Sequence, residues 1–89
     1  MVLYEGTPSA ASEAAEKEAE RLRRLGRRTG IIDFKGDVAE AAHSFFSCLR
    51  ELDKGNPDLI ICVGVPEEGL GEAVMDRMRK AAGNHIVRV

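Results

Sequence analysis

Tryptophan is absent from these 89 residues, and one tyrosine and three phenylalanines are the whole aromatic complement. A surface of aromatics interleaved with basic residues, the usual stacking platform for single-stranded nucleic acid, is therefore not expected. Cysteine is scarce too. Cys48 and Cys62 stand inside apolar segments without the spacing of a zinc site or a disulfide framework, and they read as buried thiols. Neither sign of charge dominates: thirteen basic against fifteen acidic side chains leave a net charge of -2, so a polyanion would need a local patch. The longest apolar run, Leu59 to Val65, is far short of the roughly 20 residues a membrane helix needs. No basic-then-apolar leader opens the chain, which is read as cytoplasmic with no membrane contact. Metal and redox chemistry are set aside, and neither metal ligands nor catalytic residues are expected.

What is present is 44% hydrophobic and 31% charged, the balance of one small globular domain, residues 1–89. Val2-Leu3-Tyr4 reads as a short buried strand. A turn of Gly6, Thr7, Pro8 and Ser9 leads into an Ala/Glu/Arg-rich helix that reaches about Leu25 and closes at Gly26. Ile31, Ile32 and Phe34 form a second strand; Asp37 then supplies an N-cap for a helix from Val38 to about Asp53, stopped by Lys54-Gly55-Asn56-Pro57. Leu59 to Val65 is apolar at every step, the pattern of a central parallel strand covered on both faces. A third helix follows Pro66-Glu67-Glu68 and ends near Gly83-Asn84, and His85 to Val89 finishes as an edge strand carrying Arg88.

Strands alternating with helices predict an α/β three-layer sandwich with a four-stranded parallel sheet, in the order 2-1-3-4. Right-handed crossovers then place the first helix on one sheet face and the other two on the opposite face. The face beside the first helix is expected to be under-covered and to meet another domain or a second copy.

On the second helix Val38, Ala41, Ala42, Phe45, Leu49 and Leu52 fall on the inner side, and His43, Ser47 and Arg50 on the outer one. Acidic Glu13, Glu16, Glu18 and Glu20 in the first helix precede the basic cluster Arg21, Arg23, Arg24, Arg27 and Arg28, an order that suits the helix dipole and marks a solvated face, with an RNA-phosphate patch as the alternative and Glu18 at a partly covered margin. Open parallel sheets take ligands beyond the carboxyl ends of their strands. Gly6, Thr7 and Ser9 in the first turn and Glu67, Glu68, Gly69 and Gly71 in the third are accordingly the ligand or partner candidates, with the turn Lys35-Gly36-Asp37 between them. Phosphate binding is opposed by the absence of a GxGxxG or Walker motif and by the charges of Glu67 and Glu68. Tight helix packing is the first explanation of the Gly69 and Gly71 pair. Arg77 completes the candidates: Leu70, Ala73, Val74, Met78 and Ala81 define an inward stripe with Arg77 at its middle, where its charge must find a carboxylate, strand-end carbonyls, solvent, an anionic ligand or a partner domain.

Two stretches, AHSFFSCLRELD at 42–53 and DLIICVGVPEEGLGEAVMDRMRKAAG at 58–83, resemble the carboxy-terminal accessory domain of threonylcarbamoyl-AMP synthase, which follows a YrdC-type catalytic domain. The resemblance implies a Rossmann-like domain attached to an enzyme that condenses threonine, bicarbonate and ATP into threonylcarbamoyl-adenylate. That product feeds threonylcarbamoylation of an adenosine beside the tRNA anticodon. The family's ATP and threonine sites are carried by the catalytic domain, so no cofactor is expected in this chain, and direct tRNA binding is disfavoured. His43 and Ser44 stand where the family commonly has arginine and asparagine, Glu72 replaces an apolar residue and Asp76 an asparagine, while Arg77 is retained. Asp76 beside Arg77 is expected to favour a structural ion pair over anion binding. The leading expectation is thus a non-catalytic accessory domain that packs on a YrdC-type catalytic domain. A small nucleotide-binding or nucleotide-hydrolysing module, and a homodimeric interaction domain, are the alternatives.

Overall fold

The computed structural model describes residues 1–89. Its elements are β1 (Val2–Glu5), α1 (Pro8–Arg24), β2 (Thr29–Ile32), α2 (Val38–Lys54), β3 (Leu59–Val63), α3 (Leu70–Ala82) and β4 (Ile86–Arg88). Local chemistry sets several boundaries: Pro8 opens α1 where its missing N–H costs nothing, and the Asp37 carboxylate accepts the Glu40 N–H at 3.0 Å to cap α2. No helix is long and apolar enough to cross a membrane.

The sheet is parallel and four-stranded as expected, and its order is β2-β3-β1-β4. β2 and β4 are the edges in this order as in the expected 2-1-3-4, but the two inner strands are interchanged, so that β2 lies against β3 and β4 against β1. Both arrangements bury the same two strands and distribute the helices alike, so hydrophobic patterning cannot separate them. Polar contacts made only in the folded chain pin the observed one. The Asp58 carboxylate accepts the Arg28 N–H at 2.8 Å, Asp58 N–H donates to the Arg28 carbonyl at 2.7 Å, and the Arg28 guanidinium reaches the Gly55 carbonyl at 2.8 Å. These bonds fasten the entry of β2 to the entry of β3.

Two apolar layers result. Leu3, Ile32, Ile60, Cys62 and Val65 pack under Ala41 and Phe45 of α2 and Val74, Met75, Met78 and Ala82 of α3. On the opposite face Tyr4, Ile61 and Val63 pack against Ala11, Ala15 and Ala19 of α1. The unbroken apolar run of β3 is thereby explained, since Ile60 and Cys62 face one layer and Ile61 and Val63 the other. Burial pushes the Cys62 thiol up to about 12, with the Asp33 charge a smaller cause, which keeps it protonated at neutral pH. Cys48 is half-buried, and both cysteines are free.

The two-to-one distribution of helices is observed, and the face beside α1 is closed at its centre but not at its margins, where Val2, Ile31 and Leu59 are half-buried and Val87, level with Tyr4, is exposed. Alanine at every fourth position lets α1 approach the sheet closely, and Tyr4, Ile61 and Val63 are buried within the single chain. The most exposed apolar residues on this side are Val87 of β4, at 38%, and Val89 just beyond it, at 51%.

Candidate functional site

β1 passes to α1 on one face and β3 passes to α3 on the other, so the gap between their carboxyl ends is the switch point at which such sheets bind ligands. An open crevice of about 360 Å³ lies there, lined by Glu5, Gly6, Gly64, Val65, Glu67 and Arg88 among others. Arg79, behind its lining, binds the two carboxylates that face it. The guanidinium donates from Nε to Glu5 Oε2 at 3.0 Å and from Nη2 to Glu5 Oε1 at 2.8 Å, and reaches Glu67 through Nη1 at 3.3 Å and through Nη2. One arginine thus clamps the end of β1 to the β3–α3 turn. Hydrogen bonding to Arg79 holds the Glu5 carboxyl below the usual carboxylate range despite desolvation, and its two carboxylate partners raise the Arg79 pKa further.

Arg79 is not among the residues singled out from the sequence. The expected inward stripe of α3 is turned by part of a residue step: Gly71, Val74, Met75, Met78 and Ala82 face inward, while Leu70, Ala73, Arg77 and Ala81 are exposed. Two contacts set this rotation. Gly71 lies against the Pro66 carbonyl, and the Met75 sulfur accepts the Val65 N–H at 3.3 Å with its methyl beneath Gly64. The same rotation carries Arg79 to the strand ends and Arg77 outward. Asp76 does not pair with Arg77 as expected; it pairs with Lys80 at 2.9 Å, the ordinary i, i+4 geometry. In the sequence, Arg77 and Arg79 differ only by about 200° around the helix, and the packing that chooses between them is not local.

Of the other candidates, Gly6, Glu67, Gly69 and Gly71 gather near this crevice, and Glu68 is exposed on the same turn. The donor set does not fit a phosphate. Glu5 and Glu67 face the crevice against the single lining cation Arg88, Arg79 is already shared between the two carboxylates, and the Gly71 N–H donates to the Glu68 carbonyl at 3.0 Å. A Cβ at Gly71 would lie 1.8 Å from the Pro66 carbonyl oxygen, and one at Gly6 2.6 Å from that of Val89. Both glycines therefore serve close backbone packing.

Thr7 and Ser9 lie at a second corner. There Asp33, following β2, accepts the Ser12 hydroxyl at 2.6 Å and the Lys35 N–H at 2.8 Å, with Lys35 Nζ 3.1 Å away. The Asp33 side chain is only 7% exposed. Desolvation would raise its pKa, but the hydrogen bonds from Ser12 and Lys35 outweigh it and the net shift is downward. Pro8, Ser9, Ser12 and Lys35 line this corner, and the Thr7 side chain makes no cap bond to α1. A carboxylate interrupting the apolar run Ile31-Ile32-Asp33-Phe34 was the available sequence signal for Asp33.

Replacing Arg79 by Ala is expected to cost about 1–2 kcal/mol at pH 7, between exposed and buried ion-pair values because the Arg79 side chain is 32% exposed. The folded Glu5 pKa is depressed, so this contribution is full above the unfolded carboxyl pKa of about 4 and lost as pH falls through the folded value. Urea unfolding at several pH values should show wild type and Arg79→Ala converging in acid; a constant difference would exclude the ion pair as the cause.

The fold as a whole has close relatives. The family model described as threonylcarbamoyl-AMP synthase, C-terminal domain, matches residues 1–83. The chain is 33% identical over 100 aligned positions to the threonylcarbamoyl-AMP synthase of Pyrococcus abyssi, covering all of this chain and 29% of that protein. The Bacillus subtilis threonylcarbamoyl-AMP synthase is 29% identical over 101 positions, covering 99% of this chain and again 29% of the relative. The chain therefore spans less than a third of the curated relatives it matches. Among solved structures, P. abyssi Sua5 complexed with L-threonine superposes with a TM-score of 0.88 at 34% identity, covering 99% of this chain and 29% of that one. The C-terminal Sua5 domain from Pyrococcus horikoshii superposes at 0.77 with 31% identity, covering 99% of this chain and 94% of that domain. Since the family match runs from β1 through the whole of α3, and the β4 edge is carried by the structural superpositions, the chain belongs to the threonylcarbamoyl-AMP synthase C-terminal domain family.

Proposed function

We propose that this domain is the accessory part of a threonylcarbamoyl-AMP synthase, packing on a YrdC-type catalytic domain and so supporting formation of threonylcarbamoyladenosine in tRNA. The observation that carries this reading is the match of essentially the whole chain to a stretch that is 29% of the synthase length. In this reading ATP, threonine and bicarbonate react on the catalytic domain, in the cytoplasm, and this chain contributes shape and contact. The crevice at the switch point supports it: Glu5 and Glu67, tied by Arg79, outnumber its one lining cation, Arg88, so it suits a turn held rigid against a neighbour better than a nucleotide site.

The domain alone is expected to form no threonylcarbamoyl-adenylate. Added to a YrdC-type catalytic domain, it should change that domain's ATP turnover or its resistance to proteolysis, and no effect on either would overturn the reading. The nucleotide-binding alternative makes a different forecast. Titration with ATP or GTP would shift the amides of Thr7 and Ser9, beside the Ser12–Asp33–Lys35 corner, and those of Gly69 and Gly71.

A further inference from the structure

The two edges of the sheet are not equally protected. Both α1 and α2 pack over β2, where Ile32 is buried and Ile31 half-buried. β4 packs chiefly on β1, and its Val87 is exposed. The usual guards of an open edge are missing from it: Ile86-Val87-Arg88 contains neither proline nor lysine, and it meets Leu3, Tyr4 and Glu5 in turn without a bulge. We infer that this edge pairs with itself. Two copies of the chain add strand to strand at β4, antiparallel about a two-fold axis at Val87, so that their sheets become continuous.

Backbone direction fixes the register. The His85 carbonyl accepts the Leu3 N–H at 2.9 Å, and the Val89 N–H donates to the Glu5 carbonyl at 2.8 Å. Residues 85, 87 and 89 therefore turn their backbone groups toward β1, and Ile86 and Arg88 turn theirs outward. Antiparallel strands bond through facing residues that exchange both N–H and carbonyl. With the axis at Val87, Ile86 faces Arg88 of the second copy and Arg88 faces its Ile86, which satisfies every outward group of the strand. An axis at Arg88 would set two arginines directly opposite each other. One at Ile86 would oppose Arg88 to Asn84, whose φ of 69° takes it out of the strand.

The favoured register also deals with the exposed side chain. Val87 is level with Tyr4, on the face of α1, and at the axis the two Val87 side chains form a non-hydrogen-bonded pair, the closer of the two antiparallel spacings. A second copy is thus the fitting occupant, because valine meets valine and arginine meets isoleucine instead of its own charge. A two-fold axis uses the same patch on both copies and closes, so no filament results. With only 3 residues in the strand, the contact falls below the roughly 1,200 Å² of a standard interface, and the dimer is expected to be weak, with a Kd of about 0.1–1 mM.

Sedimentation or light scattering of the 89-residue chain should show its average mass rising about 1.5-fold or more by about 1 mM, while hydrogen exchange of the outward Ile86 and Arg88 amides slows with concentration. Val87→Lys and Val87→Glu should each abolish the rise, since each sets like charges against one another at the axis. An equal mixture of the two variants should restore it, because the facing charges are then opposite. Val87 is exposed, and circular dichroism would verify that both variants fold. A wild-type chain still monomeric at about 1 mM would overturn the proposal. A dimer that survives in Val87→Lys alone would overturn this surface, and a mixture that stays monomeric would overturn the axis at Val87. The accessory role proposed above is tested separately and does not depend on these results.

Discussion

Gly71→Ala is expected to lower the unfolding free energy by about 3 kcal/mol or more, because its new methyl would overlap backbone that cannot yield. The methyl would sit 1.8 Å from the Pro66 carbonyl oxygen and 3.0 Å from its carbon. Neither atom belongs to a flexible side chain. The loop that carries them is held at both ends, by the Val65 N–H on the Met75 sulfur and by the Gly71 N–H on the Glu68 carbonyl. Relief therefore requires the amino end of α3 to lift from the end of β3, loosening Val74 and Met75 in the core beneath. For a domain of this size the loss corresponds to a fall in Tm of about 12–24 °C, readable by thermal or urea unfolding. Gly69→Ala is the instructive contrast. Open space surrounds Gly69, and only its φ of 56° resists a side chain, so about 1–3 kcal/mol is expected. A Gly71 variant within about 0.5 kcal/mol of wild type would contradict the close approach of α3 to Pro66.

Ala15→Leu is expected to cost about 3 kcal/mol, the upper range for overpacking a filled interior. Ala15 is fully buried between Ala11 and Ala19, and those three methyls are what α1 sets against Tyr4, Ile61 and Val63. A leucine there would wedge the helix away from the sheet, with strain reaching Ser12 and its bond to Asp33 at the amino end. Chemical unfolding measures the cost, and hydrogen exchange of the β1 and β3 amides would locate it. The opposite result is equally informative: a stabilised variant would mean that the α1 face holds unfilled space, and would restore the sheet itself as a surface in need of a partner.

These two variants mark where residue patterning stops being informative. The unbroken apolar run of β3, the N-cap at Asp37 and the breaks at Gly26 and Lys54-Gly55-Asn56-Pro57 are local signals, and the elements they delimit lie where expected. The inner side of α2 was equally legible, with Ala41 and Phe45 buried and His43, Ser47 and Arg50 exposed, because its six apolar positions leave one solution for the helix rotation. α3 was not. Its apolar residues are small and spread, so a stripe through Leu70 and Arg77 and one through Gly71 and Met75 satisfy the period about equally well. Contacts of Gly71 and Met75 with a loop and a strand end decided between them. The consequence for the candidate site is large: the arginine that joins Glu5 to Glu67 is Arg79, 74 positions from Glu5 in the chain.

By itself, the sequence determined the class of fold, the parallel character of the sheet, the identity of its inner and edge strands and the unequal sharing of helices between its faces. All of these follow from periodicity and from the handedness of crossovers, which are properties of short segments. Which inner strand neighbours which edge, how far the alanines of α1 close the centre of the sheet, and which arginine points at the strand ends were settled by tertiary packing alone. Those outcomes depend on contacts between residues distant in the chain, such as Arg28 with Asp58 and Glu5 with Arg79, whose distances are set only when the whole domain has packed.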